Sequence, residues 1–115
     1  MTPALDPETI GGLARDLAPS DFIRIVRTFE TDLSRLVLLM VEQATSGDIE
    51  QYRRSAHALA GAAGAIGATR LAADARLAMD PKTTTPPREL LLQIGAEARQ
   101  VLVELADWAS NPTER

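Results

Sequence analysis

Three stretches of the 115-residue chain repeat apolar side chains at spacings of three and four, and no other feature of it constrains the fold as strongly. Phe22, Ile25, Val26, Phe29, Leu33, Leu36, Val37, Met40 and Ala44 hold that pattern for about six helical turns. Ile49, Tyr52, Ala56, Leu59, Ala63 and Ile66 step by 3, 4, 3, 4, 3, and so do Leu91, Ile94, Ala98, Val101, Leu105 and Trp108. A strict seam of this kind must be buried against other helices. Two shorter segments join them: about 7–17, with Ile10, Leu13 and Leu17 on one face, and about 68–79, with Leu71, Ala75 and Ala78 inward. Leu77 falls off that face, and the spacing gives no account of it. The expected fold is all-α: an antiparallel four-helix bundle with a short additional N-terminal helix. Aromatics are only 3% of the residues and alanine and leucine dominate, which suits close helix packing and not a β-sandwich.

The ends of these segments carry their own signals. Pro7 after Asp6, and Pro19 before Ser20 and Asp21, suit first helical positions. Ser46-Gly47-Asp48 ends the long second helix and supplies Asp48 as N-cap of the third. Gly67 ends or kinks the third helix, Asp80-Pro81 closes the fourth, and KTTTPP at 82–87 is loop. The last helix is expected over about 87–109, before a polar tail, SNPTER, that should fray. Residues 1–115 are read as a single domain with one core, and the start at Met1 with the polar tail fits a stand-alone protein.

Several function classes are excluded. The net charge is −4 and no basic stripe appears, which argues against nucleic acid. The start MTPALDPETI lacks the basic and apolar regions of a signal peptide. The longest apolar run, LVLLMV at 36–41, is far short of the roughly 20 residues that span a bilayer. With no cysteine, disulfide and thiol chemistry are absent. A soluble, cytoplasmic protein that binds no membrane is expected.

The stretch HALAGAAGAIGATRL, residues 57–71, contains the only histidine and three glycines, at 61, 64 and 67. At about 100° per residue, His57 points roughly 140° away from the seam of its helix, so it belongs to the surface. Glu50, Arg53, Arg54, Gly61 and Gly64 share that outer side. Glycine costs a helix interior about 1 kcal/mol against alanine. On an exposed face this cost buries nothing, but the missing side chains let another surface approach the imidazole closely. The two arginines place positive charge where an anion could sit. A metal site lacks a second His or Cys, and no clustered carboxylates accompany His57. Ser55 points elsewhere on the helix and no GxSxG occurs; no phosphate loop of the GxxxxGK[ST] type is present. Nucleophilic acceptance of a phosphoryl group remains, since it needs only an accessible imidazole nitrogen and a partner that brings the phosphate.

Ala56, His57, Leu59, Gly61, Gly67 and Leu71 match the pattern A-H-x-L-K-G-x-x-x-x-x-G-x-x-x-L, and the chain resembles histidine phosphotransfer (HPt) domains. The resemblance implies a phosphocarrier without kinase activity or cofactor of its own. It would take a phosphoryl group on His57 from an aspartyl phosphate of a receiver domain and pass it to another receiver. Mg²⁺ would belong to the receiver, and the partners would be response-regulator receivers and a sensor or hybrid histidine kinase. A monomer is expected. Ala60 stands where the family usually has lysine, and Met79 where it often has Glu or Gln. Ala60, Gly61 and Gly64 are therefore expected around the phosphate and docking site with Arg53 and Arg54, either of which could replace the missing cation. The competing expectation is a helical adaptor that binds signalling partners without phosphotransfer.

Overall fold

A computed structural model describes residues 2–111; the end of the tail, 112–115, lies outside the described residues. The helices are α1 (Pro7–Asp16), α2 (Pro19–Ser46), α3 (Ile49–Ala65), α4 (Thr69–Met79) and α5 (Pro87–Ser110), with no strand among the described residues. Their ends follow the sequence signals closely. Asp6 caps α1 by accepting from the Glu8 N–H, and Asp48 caps α3 by accepting from the Gln51 N–H. Pro7, Pro19 and Pro87 open their helices, where a missing N–H costs nothing. Gly47 ends α2 in the left-handed region, at φ 78°.

α2 packs on α3 and α5, and α4 packs on the same two, so the four close a ring, while α1 leans on α2. Short links over 47–48 and 66–68 return the chain at once, which makes the successive helices antiparallel. The core runs the length of the molecule, which measures 44 × 25 × 18 Å. Phe22, Leu33, Met40, Ala56, Leu59, Ala63, Ile66, Ala75, Ile94 and Leu105 are fully buried in it. Leu77, off the inward face of α4, is exposed.

Three apolar positions depart from the expected seams. Ile49 is 45% exposed: it is the first residue of α3, with no preceding turn to cover it, and the buried stripe starts at Tyr52. In α5, Leu90 is buried and Leu91 only half-buried. The stripe there runs Leu90, Ile94, Ala98, Val101, Leu105, Ala109. Its longer steps follow a straight helix, whose period of about 3.6 residues drifts away from a 3.5 repeat. Trp108 consequently sits at the edge of the core, where it meets Phe22 edge-on with ring centroids 6.4 Å apart.

The N-terminal segment before α1 is part of the core. Leu5 is fully buried, and the Glu104 carboxylate accepts from the Ala4 N–H at 2.7 Å and the Leu5 N–H at 2.9 Å. Burial alone would push Glu104 up, but those two bonds, the Gln100 amide and the Arg70 charge outweigh it and hold the group below its ordinary value. Nearby, burial and then a hydrogen bond and negative charge from Asp74 push Glu97 up to about 7, against an opposing pull from Arg70. Glu97 thus stays protonated in the folded protein where the unfolded chain ionises. Its contribution favours folding at low pH and is lost as pH rises from near 4.5 toward 7. Glu97→Gln, which keeps a donor for Asp74, is expected to raise stability over wild type at pH 8 and to leave it unchanged near pH 4, by denaturant titration at both pH values.

Gly67 joins these parts. It adopts φ 78° between α3 and α4, its carbonyl accepts from the Asp6 N–H at 2.8 Å, and the Ala68 N–H reaches back to the Ala63 carbonyl at 2.8 Å. A Cβ here would lie 2.9 Å from Thr9 Cβ and 3.0 Å from Asp6 Cβ. The motif glycine farthest from His57 is therefore structural: it turns the chain and seats the start of α1. Gly67→Ala combines left-handed strain with that collision and should destabilise the fold by about 1–3 kcal/mol, measured by chemical denaturation.

Candidate functional site

α3 presents one face to the core and the opposite one to solvent. Tyr52, Ala56, Leu59 and Ala63 are buried, and the same rotation leaves His57 exposed. No hydrogen bond or ion pair among the described residues holds its imidazole. His57 lines an open concavity of about 420 Å³ together with Glu50, Arg53 and Arg54 of α3 and Met79 of α4. The concavity thus brings Met79 of α4 beside the histidine, Glu50 and both arginines of α3.

Gly61 and Gly64 are exposed, and a Cβ added to either would meet nothing within 4 Å. Side chains on a helix lean toward its N-terminus and cover the turn before their own Cα. A side chain at position 61, one turn after the histidine, would therefore overhang the imidazole. Helix crossing does not explain these glycines, because no neighbouring helix reaches them.

Ala60 departs from the expectation. It is only 8% exposed and belongs to the core cluster, so it does not line the open surface around His57. Its short methyl ends inside that cluster and does not extend to solvent. Ser55 is also turned inward: its hydroxyl lies 2.8 Å from the side-chain amide of Gln43 on α2, which ties the two helices and leaves no free nucleophile.

The two arginines differ. Arg54 is paired with Glu50 at 3.0 Å across one turn, both side chains largely exposed. Arg53 is half-buried and makes no hydrogen bond or ion pair among the described residues. Sequence spacing placed both on the outer side of α3 but could not tell which was already engaged, since Glu50 lies within one turn of each.

A family model described as an Hpt domain matches residues 24–108. The chain belongs to the Hpt domain family. Hpt domains are helical bundles that serve histidine phosphotransfer in phosphorelay signalling; they are phosphocarriers and not kinases, and the family works with receiver domains and histidine kinases. No curated protein and no solved structure matches the chain. The Hpt match covers α3, α4 and nearly all of α2 and α5, while α1 and its Gly67 contact fall partly or wholly outside it. No helix among the described residues is long and apolar enough to cross a membrane.

The open space around the two glycines has a measurable consequence. Gly61→Ala and Gly64→Ala should each raise stability by up to about 1 kcal/mol, since alanine is the better helix former and meets no neighbour. Gly61→Leu and Gly64→Leu should also fold, with melting temperatures at or above that of wild type. Unfolding of the leucine variants would mean that the positions are packed.

Proposed function

We propose that His57 is the phosphoryl acceptor of a multistep phosphorelay and that the face around it is where receiver domains dock. The observation that carries this reading is the pairing of an exposed, unbonded imidazole with two glycines that leave its surroundings clear, in a chain of the Hpt family. In the step, a lone pair on one ring nitrogen attacks the phosphorus of the receiver's aspartyl phosphate. The N–P bond forms as the O–P bond breaks, and the electron pair leaves on the aspartate carboxylate. The second ring nitrogen keeps its proton. Transfer to another receiver is the same exchange in reverse. Mg²⁺, held by the receiver, would offset charge on the phosphoryl oxygens in flight. The protein itself contributes an accessible nucleophile, a rigid helix to hold it and room for the partner.

His57→Gln should leave the fold within about 0.5 kcal/mol of wild type, as for an ordinary surface change, and abolish acid-labile, alkali-stable label taken from a phosphorylated receiver. Label persisting on the variant would remove His57 from the reaction. A wild-type protein that binds receivers tightly yet never acquires label would make the domain an adaptor. The leucine variants at 61 and 64 extend the test: they should fold but accept phosphate slowly, because the added side chain fills the space that the receiver must enter.

A further inference from the structure

The geometry points to Arg53, and not Arg54, as the cation that binds the phosphoryl group once His57 carries it; this rests on the acceptor reading above. A phosphoryl group brings close to two negative charges to a site that has no built anion hole. Arg53 and Arg54 line the concavity, and Arg76 stands in the last turn of α4. Arg54 already donates to Glu50 at 3.0 Å, so recruiting it would strand a carboxylate beside the phosphate. Arg76 of α4 is exposed and lies one turn before Met79, but it does not line the concavity that contains His57.

Arg53 meets each requirement. It lies four residues before His57, on the turn that the histidine side chain leans over. It lines the same concavity as the imidazole and has no competing partner among the described residues. Arg53 is half-buried where Arg54 is exposed. Arg53 also borders a second, small cavity of about 100 Å³ beneath the loop after α4, with Asp80 and Thr83. Bordering both spaces places Arg53 at the seam between α3 and the loop after α4, beside Met79. With Ala60 buried, the position three residues after the histidine cannot supply this charge, and Arg53 supplies it from the turn before.

The test loads phosphate on His57 with phosphoramidate, without any receiver, and follows the phosphoryl group by ³¹P NMR against pH. A bound guanidinium favours the dianion, so the phosphoryl ionisation in wild type should lie below that of free phosphohistidine by about half a pH unit or more. Arg53→Ala should return it to the free value and Arg53→Lys should retain most of the difference. Arg54→Ala and Arg76→Ala should leave it as in wild type, and the wild-type difference should shrink in high salt. The same titration for wild type and Arg53→Ala, or a loss confined to Arg54→Ala or Arg76→Ala, would overturn the assignment while leaving His57 as acceptor. Failure of wild type to take label on His57 would overturn the acceptor reading and this inference together.

Discussion

Burial of one stripe of α3 is the constraint from which the site follows. Tyr52, Ala56, Leu59, Ala63 and, just past the helix, Ile66 must all face the interior, and an α-helix leaves no freedom to turn them independently. Once they are buried, His57, Gly61 and Gly64 have to lie outside. Two of the five are alanines, and both α2 and α4 pack on this helix. Ala60 is buried with the stripe, and Met79 of α4 lines the concavity containing the histidine. The placement of the imidazole is thus a consequence of core packing, and no dedicated contact holds it.

The three glycines of the 57–71 stretch divide between two jobs. Gly61 and Gly64 have open space where a side chain would go, whereas Gly67 has Asp6 and Thr9 against it and a backbone that only glycine adopts without strain. Clearance around the histidine and the fold of the N-terminal segment are therefore served by neighbouring residues of the same type for unrelated reasons. The Gly67 carbonyl and the Glu104 carboxylate accept from the N–H groups of Asp6 and of Ala4 and Leu5, so a strap that precedes the family-matched region is stitched to it through its own backbone N–H groups.

The charges around the site show the same economy. Exposed ion pairs such as Arg54–Glu50 contribute little to stability, but this one changes which cation remains free. The two carboxylates with clear shifts, Glu97 and Glu104, sit with Arg70 and Asp74, while on α3 burial pushes the Tyr52 phenol up. Protonation of the two carboxylates bears on how firmly the bundle and its strap hold together.

The helices, their caps, the ring of four and the exposed histidine beside Gly61 and Gly64 were legible in the sequence, because each depends on residues within a few turns of one another. Apolar spacing sets which face of a helix is buried, and prolines, Asp48 and Gly47 mark its ends through local backbone chemistry. Only the tertiary structure decided the rest. The burial of Leu5 and the role of Glu104 depend on hydrogen bonds between residues about a hundred positions apart. The burial of Ala60 depends on the helices packed on α3, and the seam of α5 on the drift of a straight helix over its length. The difference between Arg53 and Arg54 depends on which rotamer Glu50 meets. Periodicity reports direction around one helix axis; it does not carry the distance to the next helix, and these outcomes turned on that distance or on a contact made across it or between neighbouring side chains.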